Sequence, residues 1–301
     1  MKMQGCSRGL RELCRLLGYS RQAYYQYQLK SAKRALQEDL VITRVLALRS
    51  VQPRAGVRKL HTMMEPFMAA HGIDMGRDAL YDLLRANGLL IKIRHSFKPR
   101  TTDSGHWMKR YPDLIKDKVL SRPDELWVSD ITYIRLKSSK FAYLSLVTDA
   151  YSRKIVGYCM NRDLSVRGPV AALEMALKGR SGNGPLIHHS DRGSQYCSDD
   201  YTDMLTSSGV QISMTQSGNP KDNAIAERVN GILKTEFLEQ AYSEVMSARE
   251  SVIKAIEIYN TIRLHSSIDM LTPEKAHEQT GPIRRKWKSW HERPCRKERR
   301  T

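Results

Sequence analysis

The chain has 301 residues, which suits about two domains, and 41% of them are hydrophobic, enough for a substantial core. Its formal net charge of +18, from 50 Lys and Arg against 32 Asp and Glu, favours a polyanionic partner such as a nucleic acid. Five scattered cysteines without a Cys-x-x-Cys pair exclude a disulfide scaffold, and with no long apolar run or signal peptide we expect a cytoplasmic, nucleoid-associated protein.

The positive charge is concentrated at the two ends of the chain. Residues 1–100 hold 19 Lys and Arg against 7 Asp and Glu, and residues 281–301 hold 9 against 2. The centre, residues 101–280, is almost neutral, with 22 against 23. A near-neutral centre between basic arms suits a DNA-cutting core with DNA-binding flanks. A ribosome-associated factor would share the positive charge but not the three acids described below.

The first basic segment, residues 1–35, has the pattern of a helix-turn-helix. Apolar residues from Leu10 to Leu17 share one helical face, Gly18 ends that helix, and Ser20 caps the next. The second helix would lie in a DNA major groove. A plain helical hairpin is the alternative.

Two further segments precede the centre of the chain. Residues 36–95 show apolar helical periodicity in three stretches, followed by a short strand or wing, and predict a helical DNA-binding region. Residues 96–123 contain three prolines among basic residues with little periodicity, and predict a basic linker.

Residues 124–280 have the pattern of an α/β domain. Strands are predicted at 126–135, 141–149, 154–160, 185–190 and 211–215, and helices at 169–178, 199–208, 223–240 and 247–264. Three successive strands followed by alternating helices and strands predict a mixed sheet with flanking helices. The basic tail, residues 281–301, contains two tryptophans that suit DNA binding by charge and stacking.

Three acids in this domain stand in unusual settings. Asp130 lies inside the apolar run WVSDITYI, Asp191 follows the apolar start of LIHHSDRG, and Glu227 lies within a helical pattern. Three carboxylates from two strands and a helix form an all-oxygen site for Mg²⁺, and two such ions suit phosphoryl transfer. Most acids are solvated surface groups, and Asp149 and Asp222 are rival ligands.

The helix around Glu227 offers more polar groups beside that acid. Asn223, Glu227, Asn230 and Lys234 fall on one face, opposite the apolar positions. With Arg228, the two amides and the lysine are the candidate DNA contacts, since a cation about two turns from a metal ligand can reach a phosphate.

Four ordered blocks resemble one family: WVSDITY, HSDRGSQY, GNPKDNAIAERVNGILKTE and YNTIRLHSSIDMLTPEKA. They resemble the integrase core of bacterial insertion-sequence transposases, the OrfB type of insertion-sequence family three, relatives of retroviral integrases. The 35 residues between Asp191 and Glu227, and Lys234 seven residues after Glu227, match the family pattern. The stretch 37–95 resembles the helical region that precedes this core.

The resemblance implies a ribonuclease-H-like fold and a DNA transposase. It implies that Asp130, Asp191 and Glu227 bind two Mg²⁺ ions, with Mn²⁺ as a substitute, and serve cleavage at element ends and strand transfer by the freed 3′-OH. The implied partners are double-stranded DNA at the terminal repeats and the target, further copies of the chain on paired ends, and an upstream OrfA protein. No membrane partner is expected.

Other interpretations remain open at this point. A ribonuclease-H-like nuclease would cut without joining, and a DNA-binding regulator would keep an inactive core. A metal-bound water needs no general base, so His188 and His189 are interpreted as groups that support the acids or the fold. A covalent nucleophile at Tyr259 lacks the Arg and His cluster that it would need. Three later polar residues have two interpretations that the sequence supports equally, contact with DNA or bracing of the core: Asn260, Arg263 and His265.

Overall fold

The computed structural model describes residues 9–92, 107–116, 118–182, 184–216 and 223–284. These residues form two compact units that divide between Lys92 and Ile93. Within the described ranges, no helix combines the length and the apolar character that crossing a membrane requires.

The first unit contains four helices in its described part. They are α1 (Leu10–Leu16), α2 (Arg21–Val51), α3 (Val57–Ala70) and α4 (Arg77–Ala86). Val41 and Val45 of α2 pack against Leu60 and Met64 of α3 and against two leucines of α4, so the apolar periodicity of the three helices builds one small core. No strand forms in the described part of the segment after Gly88.

The predicted helix–turn–helix geometry is present at the start of this unit. Gly18 adopts φ 72°, which ends α1, and the Ser20 hydroxyl accepts a 3.0 Å hydrogen bond from the backbone N–H of Ala23 at the start of α2. α2 then runs unbroken across the predicted segment boundary at residues 35 and 36. Its early turns expose Leu29 and Leu36, so apolar burial does not reveal that continuity in the sequence.

The second unit contains a five-stranded mixed sheet in the order β3-β2-β1-β4-β5. The strands are β1 (Leu126–Arg135), β2 (Phe141–Asp149), β3 (Ile155–Asn161), β4 (Ile187–Ser190) and β5 (Gln211–Met214). The first three pair antiparallel, whereas β4 and β5 run parallel to β1. This confirms the predicted α/β, ribonuclease-H-like mixed sheet.

Helices cover both faces of the sheet. They are α5 (Arg167–Gly179), α6 (Asp199–Ser207), α7 (Ala224–Ile232), α8 (Val245–Thr261) and the short α9 (Pro273–His277). Trp127 and Val147 point to the face covered by α5 and α6, whereas Ile134 and Leu144 point to the face covered by α7 and α8. Alternate residues of β1 therefore belong to different cores.

Part of the predicted linker belongs to the second unit. The backbone N–H of Met214 in β5 donates to the carbonyl of Pro112, and the N–H of Leu114 donates to the Ser213 hydroxyl at 2.9 Å. Met108 and Tyr111 pack against the core on the α5 and α6 face. An irregular segment has no period in its sequence, so its attachment to a sheet edge leaves no pattern to detect.

Candidate active site

The register of two parallel strands brings the first two acids together. β1 pairs with β4 from Leu126 opposite Ile187 to Val128 opposite His189. The same register continued two residues places Asp191 opposite Asp130. Asp191 directly follows the last residue of β4, as predicted, and its Oδ1 accepts a 3.0 Å hydrogen bond from the Gly193 N–H.

Asp130 is a half-buried carboxyl in the middle of β1. Burial, the charge of Asp191 and, least of all, that of Glu227 together raise its pKa to about 7. Hydrogen bonds from the Asn230 amide and from the Ile131 N–H oppose that rise. The other two predicted acids therefore both act electrostatically on Asp130.

Two amides on the predicted polar face of α7 bond to β1. The Asn230 amide donates to Asp130 Oδ2 at 2.7 Å, and the Asn223 amide donates to the Ser129 carbonyl at 2.8 Å. Ala226, on the same helix, packs against the apolar side chains of β1, which seats α7 on the sheet. Glu227 and Arg228 are exposed. Both amides that were candidate DNA contacts thus bond to the strand that carries Asp130.

The helix predicted to reach residue 240 changes form after Ile232. A π-turn spans Leu233–Phe237 and is closed by a 2.9 Å bond from the Leu238 N–H to the Leu233 carbonyl. Lys234 lies in this turn and is half-buried. Burial lowers the pKa of its amine, and the charge of Asp130 offsets only part of that effect. Single π-turns of this kind occur frequently at functional sites.

The donor set at this site suits a hard divalent cation. Carboxylates of Asp130 and Asp191 lie side by side, and the side-chain oxygen of Asn230 is buried without a hydrogen-bond partner. Within the described part of the chain, no three His, Cys, Asp or Glu side chains are grouped closely enough to hold a metal. Asp130 and Asp191 therefore supply two carboxylates of such a site, whereas Glu227 is not grouped closely enough with them to complete a three-residue ligand set.

Asp149, a rival ligand, has a structural role. Its fully buried carboxylate accepts hydrogen bonds from the Asp124 N–H at 2.9 Å, and from the N–H and hydroxyl of Ser152 at 2.7 and 2.6 Å. His277 Nδ1 lies 3.7 Å from the same group. This carboxylate joins the β2–β3 turn to α9. The other rival, Asp222, lies outside the described residues.

His188 and Tyr259 both have hydrogen-bond partners other than the acids. His188 Nε2 lies 2.7 Å from the Ser129 hydroxyl and 2.9 Å from the Tyr201 hydroxyl, on the opposite face of the sheet. Burial lowers the pKa of His188 to about 3, so it is neutral. The Tyr259 hydroxyl is buried and donates to the Arg153 carbonyl, and burial raises its pKa, which contradicts a nucleophilic role.

The late polar residues brace the core. The Asn260 amide exchanges two 3.0 Å hydrogen bonds with the backbone of Ile155 at the start of β3. Arg263 is buried and forms an ion pair with Glu236 of the π-turn, and it also contacts His265. Glu236 carried no signal in the sequence, because a partner 27 residues away is visible only in the folded chain.

Comparison with known proteins places the chain in a family. A family model described as integrase core domain matches residues 121–220, and a second family model with the same description matches residues 208–273. The insertion element IS600 uncharacterized 31 kDa protein of Shigella sonnei is 34% identical over 278 residues, which cover 89% of this chain and 100% of that protein. The putative transposase of element IS986/IS6110 of Mycobacterium tuberculosis is 32% identical over 202 residues, covering 64% and 72%.

More distant relatives include transposase InsF of insertion sequence IS3fB from Escherichia coli, 28% identical over 90% of this chain and 94% of that protein. Among solved structures, the HTLV-2 integrase catalytic core domain in complex with magnesium is 18% identical, with a TM-score of 0.42, over 53% of this chain and 100% of that chain. The relatives at 34% and 32% identity, together with the integrase core match, decide the classification. The chain belongs to the insertion-sequence transposases with an integrase core domain, a family of polynucleotidyl transferases.

Proposed function

We propose that this transposase cuts a DNA strand at each end of its insertion sequence and joins the freed 3′-OH to target DNA, using Asp130, Asp191 and Glu227. The observation that supports this most is the Asp130–Asp191 pair. The parallel register of β1 and β4 sets two carboxylates side by side, and the pKa of Asp130 rises to about 7. A cation bound between them would offset both the burial of Asp130 and the repulsion from Asp191, the two effects that contribute most to this raised pKa.

Asp130, Asp191 and Glu227 would hold two Mg²⁺ ions, and we expect Mn²⁺ to substitute. Two such ions supply activation of the attacking oxygen and stabilisation of the leaving oxygen when they are bound. The chain itself supplies position and charge. Asn230 fixes one oxygen of Asp130, Lys234 presents a cation beside the acids, and the exposed Arg228 stands one residue from Glu227 to meet a phosphate.

The first unit would bind the terminal repeats. Its α1–turn–α2 geometry suits major-groove binding, and its basic charge suits phosphate contact. We further propose that several copies of the chain assemble on paired ends, that an upstream OrfA protein takes part, and that the protein works on the nucleoid. The proposed segments are 1–35 and 36–95 for DNA binding and 124–280 for catalysis.

The proposal is tested with purified protein, Mg²⁺ and a labelled duplex that carries one end of the element. Asp130→Asn, Asp191→Asn and Glu227→Gln are compared with Glu174→Gln, which changes an exposed acid on α5. We expect each site variant to lose cutting and joining by at least about 100-fold while binding DNA normally, and the control to keep both. Joining by Glu227→Gln at the wild-type rate would remove Glu227 from the site. Cutting without joining by the wild type would identify a nuclease.

A further inference from the structure

Glu236, in the π-turn that follows α7, is held by one of the most buried charged side chains of the described chain. Arg263 Nε donates to Glu236 Oε2 at 2.7 Å, and Arg263 Nη2 donates to Oε1 at 2.6 Å. The Arg263 side chain is 2% exposed and the Glu236 side chain 21% exposed. This is the two-pronged geometry in which a guanidinium fixes both the position and the orientation of a carboxylate.

Groups behind Arg263 hold it in turn. Its Nη1 lies 2.7 Å from His265 Nε2, and because a guanidinium only donates, this histidine accepts there. The His265 ring meets the ring of the fully buried Tyr259 edge-to-face at 4.9 Å, and Tyr259 donates to the Arg153 carbonyl. The ion pair therefore connects the π-turn to α8 and to the β2–β3 turn.

Stability alone gives a weak reason for such a pair. A buried ion pair loses hydration energy comparable to its Coulombic gain, and apolar side chains of similar volume stabilise a core as well or better. What the pair adds is a fixed position for the turn. That turn contains Lys234, and the charge of Asp130 acts to raise the pKa of its amine. The turn begins about one helical turn after Asn230, whose amide bonds to Asp130.

We propose that Glu236 and Arg263 are positioning residues: their buried ion pair holds the π-turn so that Lys234, one turn after Asn230, stays near Asp130 during strand cleavage and joining. The inference rests on the proposed function for its catalytic part. Neither residue touches DNA in this role, and His265 supports it by holding Arg263. The pair acts on the rate through Lys234.

The test uses the full chain with Arg263→Lys, which keeps the charge and loses the two-pronged contact. Leu205→Ala, in α6 on the other face of the sheet, is the control for destabilisation without a change near the π-turn. Joining rates are measured for the wild type, Arg263→Lys, Lys234→Gln and the double variant, together with DNA affinity and melting temperature.

We expect Arg263→Lys to lower the joining rate by about 30-fold with DNA affinity within about twofold, since a small misplacement costs this much. In the Lys234→Gln background the same change should cost less than about threefold, because the two residues act together. Equal losses in both backgrounds, or a loss matched by Leu205→Ala at the same melting temperature, would overturn the proposal.

A second measurement does not depend on catalysis. Hydrogen exchange of the amides at residues 233–238 should be at least about tenfold faster in Arg263→Lys than in Leu205→Ala, because local opening sets exchange. Equal exchange in these two variants would overturn the holding role. If the wild type joins no DNA, the proposed function fails by its own test, and exchange alone decides whether the pair holds the turn.

Discussion

The Asn230 side-chain amide donates a 2.7 Å hydrogen bond to the carboxylate of Asp130, a residue 100 positions earlier in the chain. This bond favours the charged form of Asp130, whereas burial and the neighbouring Asp191 favour the neutral form. The charge state of the first acid is thus a balance between the hydrogen bonds of Asn230 and the Ile131 N–H, which stabilise the anion, and burial together with the other two acids, which oppose it.

Removal of that hydrogen bond should shift the pH dependence of cleavage. Asn230→Ala removes the amide that donates to Asp130, while burial and the charge of Asp191 still raise the pKa of this carboxyl. The pKa of Asp130 therefore rises further, and less of the carboxyl is ionised near neutral pH. We expect the acidic limb of the rate profile to move upward and the rate at pH 7 to fall about tenfold. Single-turnover cleavage from pH 6 to 9 measures this. Gln211→Ala, an exposed amide at the start of β5, serves as the control and should reproduce the wild-type profile.

The raised pKa of Asp130 also predicts how stability depends on pH. The folded pKa of about 7 lies above the ordinary value near 4, so between these values the native state binds more protons than the unfolded state. Without metal, the wild type should therefore lose stability as pH rises from 4 through 7. Asp130→Asn escapes this loss and should melt a few degrees above the wild type at pH 8, with a smaller difference at pH 5. A difference that does not change with pH would contradict the assignment.

Divalent metal should reverse that pattern. A cation that needs an ionised Asp130 competes with its proton, so affinity for Mg²⁺ or Mn²⁺ should increase as pH rises from 5 to 7 and then level off. At pH 8 added metal should raise the melting temperature of the wild type, chelation should abolish the gain, and Asp130→Asn should gain nothing. Titration calorimetry of Mn²⁺ at several pH values gives the affinities directly.

Replacement of Asp149 should affect folding and not catalysis specifically. Asp149→Ala leaves the buried donors of Asp124 and Ser152 without their acceptor, which should cost at least about 3 kcal/mol of unfolding free energy. Urea denaturation measures the loss. Under conditions where the variant is folded, it should cut DNA within a few-fold of the wild-type rate. Complete inactivity in a fully folded variant would restore Asp149 as a candidate ligand.

The sheet was predictable because its first strands are mainly apolar runs. β1 and β2 begin and end where the sequence predicts, since both faces of each strand are buried and the side chains are apolar on both. The acids Asp130 and Asp191 were also accessible, because a charged side chain inside or directly after an apolar strand is energetically unusual.

Other features had no local signal. The continuity of α2 across residues 31–35 depends on a stretch that buries no side chain, so apolar periodicity is silent there. The π-turn at Leu233–Phe237 and the ion pair of Glu236 with Arg263 depend on tertiary contacts, which a single sequence does not reveal. For the same reason the sequence offered Asn223 and Asn230 as DNA contacts, although both amides bond to β1.

The parallel ladder between β1 and β4 has a consequence for how the chain can vary in length. The separation of Asp130 and Asp191 in space depends on the three residue pairs that join β1 to β4. The intervening hairpins and α5 only return the chain to the sheet. Loops such as 137–140 and 162–166 can thus gain or lose residues without disturbing the acids. A slip of β4 by a single position would instead point Asp191 to the opposite side of the sheet, because side chains alternate along a strand. Hydrogen-bond registration, and not the count of residues between the acids, keeps the two aspartates together.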